Sequence, residues 1–285
     1  MILVVGASGK LGSIITSMLL AQEESIRILT RNSPGYQPHI DAGAEPVSGD
    51  LKDPASLKVA CAGVDIVIST ATAAERWGED SLETVDLDGV GNLITAAKEA
   101  GVKKFIYVSS SAADPNSDQI YFKAKGTNVQ RLMESGIDYA ILSPHVFLDV
   151  WLGVAFGLPL QNQQPITLVG KGDHQHSFIA IQDVAAFVVA AIDHPDAHNQ
   201  NILIGGPAPI SFMDIANAVG KALGIKLQVN FVNPGDPIPL IPEPLWGFLY
   251  LLESFEMKID MADTAQKFAI TLTDVETLAG QMFAS

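Results

Sequence analysis

Basic residues are scarce in this chain. Lys and Arg number 17 against 32 Asp and Glu, only four of the 17 are Arg, and the formal net charge is −15. Phosphate-backbone binding needs a basic face, so nucleic acid is not an expected partner, and the charge serves solubility. A single cysteine, Cys61, rules out an internal disulfide and suits a reducing compartment. Its setting, "LKVACAGVD", reads as the end of an apolar helix and a buried, inert thiol. No long apolar run is present either. The stretch "IPLIPEPLWGFLYLL" is broken by three prolines and a glutamate, too short a clean run to span a bilayer. The opening "MILVVGASG" shows no basic n-region and no cleavable apolar segment. The expectation is therefore a cytoplasmic protein without a signal peptide or membrane span.

Against these absences stands a composition that is 48% hydrophobic, with only three Trp but abundant Val, Ile, Leu and Ala. The first half alternates regularly: "ILVVG", "IRILTR", "AEPVSGD", "VDIVIST", "KFIYVSS" and "DYAILS" read as strands with helical segments between most of them. One helix, "DPASLKVACAG", is opened by Asp53 as a cap with Pro54 in its first turn. β-Branched apolar strands separated by helices predict an α/β Rossmann fold, a doubly wound parallel sheet. After residue 150 the pattern loosens, and a smaller C-terminal α/β substrate lobe is expected. Residues 1–150, rejoined by about 178–206, would form the Rossmann domain, and 151–177 with 207–285 the lobe.

"GASGKLG" places Gly6, Gly9 and Gly12 between the first strand and the first helix, where glycines permit a tight turn and close approach of a pyrophosphate to the helix N-terminus. Only two residues separate Gly6 from Gly9-Lys10, which excludes a Walker A loop. An NAD site would usually carry Asp or Glu after the second strand; here Thr30 and Arg31 stand there, and Arg31 suits a 2′-phosphate. NADP(H) is thereby favoured over NAD(H), the alternative being a solvated arginine at a strand end. Two readings stand for Asp50 in "SGDL", an acceptor for the adenine amino group or a turn residue. Small residues Ser69 to Thr72 let a cofactor pass near the backbone. "VSSSAA" puts serines at the carboxyl edge of the fifth strand, and "YFKAK" follows, with Tyr121 and Lys125 on one helical face.

Together "GASGKLG", "GDL", the serine-rich fifth strand and "YFKAK" resemble a short-chain dehydrogenase/reductase. The stretches "ESGIDYAILSPHVFLD", "HSFIAIQDVAAFVVAAI" and "NILIGGPAPISFMDIANAVGKALG" are similar to its atypical extended, NmrA-like branch, and the likeness covers nearly the whole chain. The resemblance implies that Tyr121 donates and accepts the proton, that Lys125 holds the nicotinamide ribose and lowers the tyrosine pKa, and that Ser110 orients the substrate oxygen. It further implies a cofactor site made of Gly6, Ala7, Ser8, Gly9, Lys10, Leu11, Gly12, Arg31, Asp50, Leu51, Thr70, Ala71, Lys125, Pro144, His145 and Phe147. Where the branch commonly reads Arg-Pro after the sixth strand, this chain has Ser143-Pro144 followed by His145, for which a functional and a packed role stand equal. The Ser-to-Tyr spacing is also shorter than usual for the extended enzymes.

"DHQHS" would set His174 and His176 on one face of a strand, but no third ligand stands nearby in sequence, so no metal is expected. The aromatics Trp246, Phe248, Tyr250 and Phe255 either wall a cleft for an apolar or aromatic substrate or serve helix packing against the main domain. The expected function is an NADP(H)-dependent oxidoreductase acting on a small carbonyl, enone or quinone-like molecule, as a monomer or homodimer. Two alternatives remain: an NmrA-type redox sensor without turnover, and an epimerase or dehydratase that retains its cofactor.

Overall fold

The structure is a computed structural model and describes residues 1–31, 34–74 and 80–283. The chain divides into two compact units, one of Met1–Pro144 with Val184–Leu203, the other of His145–Asp183 with Ile204–Ser285.

In the first unit, β1 (Ile2–Val5), α1 (Lys10–Ala21), β2 (Ile26–Thr30), α2 (Gln37–Asp41), β3 (Glu45–Ser48), α3 (Pro54–Cys61) and β4 (Ile66–Ser69) alternate. A wide, π-helical stretch, Leu82–Gly89, runs into α4 (Val90–Glu99), followed by β5 (Lys104–Val108), α5 (Ile120–Glu134) and β6 (Asp138–Pro144). The seven-stranded sheet has the order β3-β2-β1-β4-β5-β6 with the strand Gln200–Ile204 outermost. The order reverses at β1, so β1 and β4 flank the switch point at which open α/β sheets bind ligands. β1 pairs in parallel with β2 and β4, and β5 with β4 and β6. Every residue of β1 and β5 is buried, as a strand covered on both faces requires. Leu3, Leu57, Val67, Leu93 and Phe105 anchor the core under the helices. The Asp53 side chain accepts the N–H of Ala55 at 3.0 Å, capping α3 as the sequence indicates.

The second unit is built around a separate apolar cluster that includes Trp151, Phe156, Phe178, Ile215 and Val219. One two-stranded pairing joins Ile166–Val169 to Val229–Val232 in parallel, and another joins Val146–Phe147 to Phe178–Ile179. The helix Phe212–Leu223 opens on a reciprocal Ser211–Asp214 capping box and closes on Gly224 at φ 67°. Trp246, Phe248, Tyr250 and Phe255 pack against this cluster, and the Phe248 ring stacks on Trp151 at 5.5 Å. These aromatics thus pack on their own unit's cluster, not against the main domain as the packing reading has it, because Trp151 and its apolar neighbours offer them a seam there. Among the described residues no helix is long and apolar enough to cross a membrane.

Candidate active site

The turn from β1 to α1 is shaped by what a side chain would strike. Gly6 has φ +99°, and a Cβ there would lie 2.7 Å from the Thr70 hydroxyl and 2.9 Å from the Ala71 nitrogen. A Cβ on Gly12 would overlap the Gly6 carbonyl oxygen. Thr70 and Ala71, at the end of β4, are thereby brought against the glycine turn. The Gly9 N–H donates to the Gly6 carbonyl at 3.0 Å, and Gly9 caps α1 without any side-chain hydrogen bond. No acidic residue stands in the first turn. The positive end of α1 is thus left for an outside anion, and these residues fit a dinucleotide pyrophosphate. Ala7 is buried, Ser8 and Leu11 half-buried, and Lys10 exposed.

Beside this turn lies an open cleft lined by Gly6, Arg31, Tyr36, Asp50, Leu51, Ala71 and Asp80 among others. It gathers three residues of the expected cofactor set, Gly6, Arg31 and Ala71, at the carboxyl ends of β1, β2 and β4, together with Asp50 and Leu51 after β3. The Arg31 guanidinium donates to Asp80 at 2.8 Å and lies 3.7 Å from Asp50. The hydrogen bond to Asp80 raises the arginine pKa further above its ordinary value. Asp50 also shapes its own turn, accepting the Lys52 N–H at 2.8 Å.

On α5 the Tyr121–Lys125 spacing does what helical geometry requires: the Lys125 ammonium sits 5.7 Å from the Tyr121 ring centre. Tyr121 is half-buried, whereas Lys125 is 3% exposed. The ammonium donates to the Val108 carbonyl at 3.3 Å and lies 3.7 Å from the fully buried Asp86 carboxylate. Burial pushes the Lys125 pKa down, and Asp86 pulls it partly back. Asp86 is itself fixed, accepting the Ala73 N–H at 2.8 Å, while Asn128, one turn beyond Lys125 on α5, donates to the Asp86 main-chain carbonyl. Tyr107 lies beneath, its ring centre 5.2 Å from the ammonium, and burial holds its phenol pKa well above the usual range. Of the serines after β5, Ser110 accepts the Ala112 N–H at 3.3 Å, and the Ser109 hydroxyl is buried without a hydrogen-bond partner among the described residues.

Pro144 ends β6 in the first unit, and its carbonyl accepts the Ser111 N–H at 3.0 Å. His145 and Phe147 begin the second unit. There the His145 ring stacks on His176 at 5.3 Å and its Nε2 lies 3.1 Å from His176 Nδ1. His176 Nε2 is 2.8 Å from the Leu252 carbonyl, which can only accept, so that nitrogen carries the proton and His176 Nδ1 accepts from His145. Burial pushes the His145 pKa down to about 4. His174 and His176 do not share a strand face. The segment is not a strand, His176 turns to His145, and one donor atom each of His174, Asp173 and Glu253 falls within 4.8 Å. Glu253 is remote in sequence, which is why spacing alone left His174 without neighbours.

Asp86, Asn128, Tyr107, Lys52 and Asp80 were not found from the sequence. Asp86 left one trace: in "TVDLDGV" it is flanked by residues whose helical register is apolar, and Val85, Gly89 and Val90 are buried with it. An acid on a buried helical face needs a cationic partner.

Comparison with known proteins agrees with this geometry. A family model described as NAD(P)H-binding matches residues 6–195. An NAD(P)H azoreductase from Xenophilus azovorans is 30% identical over 79% of this chain and 74% of its own length. A photosystem II assembly factor from Trieres chinensis is 28% identical over 80% of this chain and 71% of its own. Among solved structures, an NADPH-dependent quinone oxidoreductase from Escherichia coli, complexed with NADPH, superposes with a TM-score of 0.79 at 21% identity, over 99% of this chain and 100% of that one. The glycine turn, the switch-point cleft and the sequence likeness converge: the chain belongs to the NAD(P)H-binding family, in the NmrA-like, atypical branch of the short-chain dehydrogenases/reductases.

Proposed function

We propose that this NAD(P)H-dependent oxidoreductase takes NADPH and reduces a small carbonyl, enone or quinone-like acceptor, with Tyr121 as the proton donor. The observation that carries the reading is the buried Lys125 ammonium, poised by Asp86 and 5.7 Å from the Tyr121 ring centre. When bound, the nicotinamide supplies a hydride, and the acceptor gains that hydride together with one proton. The proton comes from the Tyr121 hydroxyl. A neighbouring ammonium favours the phenolate that remains, and the half-buried phenol can be reprotonated from solvent. Gly6, Gly12, Thr70 and Ala71 hold the backbone close enough for a pyrophosphate, and Arg31 and Asp50 receive the adenosine end. A serine after β5 orients the acceptor oxygen; Ser110 is the family's position, and the unpartnered Ser109 hydroxyl is the rival.

The NAD(P)H azoreductase relative supports an acceptor that is reduced at the expense of a nicotinamide cofactor. A second reading, NADPH binding without turnover, is favoured by the likeness to a photosystem II assembly factor. NADPH oxidation against quinones, enones, aldehydes and azo dyes separates the two. Turnover of any acceptor supports the reductase. Tight NADPH binding with every acceptor untouched supports the binding protein.

A further inference from the structure

At the adenosine end of the cleft one carboxylate serves two cations. Asp80 Oδ2 accepts from Arg31 at 2.8 Å, and its Oδ1 accepts from the Lys52 ammonium, also at 2.8 Å. The Asp80 side chain is 11% exposed, against 40% for Arg31 and 34% for Lys52, so the carboxylate is the sheltered member of the group. Asp50 lies outside this bridge, 3.7 Å from Arg31 and 4.0 Å from Lys52. Its remaining oxygen is tied to the Lys52 N–H. Arg31 and Asp80 both line the cleft beside the glycine turn.

We propose that Asp80 sets how strongly this chain discriminates NADP(H) from NAD(H), by gathering Arg31 and Lys52 into one cation pair and opposing a 2′-phosphate for possession of it. The inference rests on the cofactor reading above and refines it. A phosphate monoester brings nearly two negative charges and three acceptor oxygens, which two adjacent cations match well. While both cations are hydrogen-bonded to Asp80, that match is reached only by displacing or crowding a carboxylate. A plain ribose hydroxyl has no such conflict, so NAD(H) is insensitive to Asp80. Arg31 alone would point to strict NADP(H) use; the bridge narrows the preference. Lys52 is then the second phosphate-binding cation, a role that its place in the turn after β3 does not announce.

The test is fluorescence titration of NADPH and NADH, at low and high salt, on the full chain and its Asp80→Asn and Lys52→Ala variants. Asp80→Asn is expected to tighten NADPH about tenfold and to leave NADH within about twofold, since tenfold corresponds to about 1.4 kcal/mol. Lys52→Ala is expected to weaken NADPH several-fold, and more so in the Asp80→Asn background. NADPH affinity should also fall more steeply with salt in Asp80→Asn. Arg31 and Lys52 keep 40% and 34% of their side chains exposed and stay solvated when the carboxylate is removed, so the variant is expected to fold, and Asp80→Ser provides a second removal of the charge. The proposal is overturned if the wild type binds both cofactors and removing the Asp80 charge leaves NADPH unchanged or weaker. It is equally overturned if NADH alone is weakened, which would make Asp80 a ribose acceptor. A wild type that binds neither cofactor would refute the cofactor reading itself, and this inference with it.

Discussion

The Lys125 ammonium lies 3.7 Å from the Asp86 carboxylate with 3% of Lys125 and none of Asp86 exposed. Lys125 belongs to the helix after β5, and Asp86 to the π-helical stretch that leads into α4, so the pair ties two elements of the first unit beneath the Tyr121 ring. Breaking a buried pair strands a charge. Asp86→Leu is expected to cost about 3–5 kcal/mol in urea unfolding, and Asp86→Leu with Lys125→Met markedly less than the single change. A loss below about 1 kcal/mol for Asp86→Leu would show that Lys125 does not depend on its partner.

Gly12→Ala tests the glycine turn. Its Cβ would overlap the Gly6 carbonyl oxygen, a backbone atom that cannot swing aside. The expected outcome is a stability loss of about 1–3 kcal/mol and a loss of NADPH affinity that exceeds the loss of stability. Gly136→Ala makes the contrast, because a Cβ there meets nothing within 4 Å and only its φ of +81° is unfavourable. It should leave cofactor binding intact.

The second unit should lose stability in mild acid through His145. Burial holds its folded pKa down at about 4, below the unfolded value of 6.5. Between those limits the unfolded chain binds a proton that the folded chain refuses, so stability falls as pH drops from 6.5 towards 4 and is fully present at pH 7. The contribution is about 2 kcal/mol at pH 4.5. Comparing wild type with His145→Gln at pH 7 and pH 4.5 isolates it, and the wild type should show the larger drop. Parallel pH profiles would contradict the placement of this ring.

Cys61 is completely buried, and its thiol is pushed up to about 11 by burial. A thiol-specific disulfide reagent should therefore leave the native chain unmodified over hours and react fully in denaturant. Rapid native labelling would mean that α3 opens readily from the sheet.

The inner strands were legible because they are short, apolar and β-branched, and because β1 and β5 are buried on both faces, which leaves no polar alternation to confuse the pattern. The glycine turn was legible for a similar local reason: Gly6 and Gly12 stand where one backbone segment touches another, and a side chain at either position would strike it. Tyr121 and Lys125 could be read together since one helix turn sets their distance. What escaped is what long-range packing assembles. Asp86 meets Lys125 across two separate elements, Asp80 joins Arg31 to Lys52 from a third place in the chain, and His174 finds Glu253 on a distant helix end. None of these pairs has a sequence spacing that announces it. The same holds for Trp246 and Phe248, whose apolar pattern suits a substrate wall and a helix seam equally until their packing partners are known.

The most direct measurement is the rate of NADPH oxidation with a turned-over acceptor in wild type and Tyr121→Phe, with NADPH affinity measured on the same two proteins. The account requires kcat to fall about 100-fold or more while NADPH binds within a few-fold of wild type, because only the proton donor has been removed. Equal rates in the two proteins would contradict it, leaving Tyr121 as a packed helical residue and the proton to come from elsewhere.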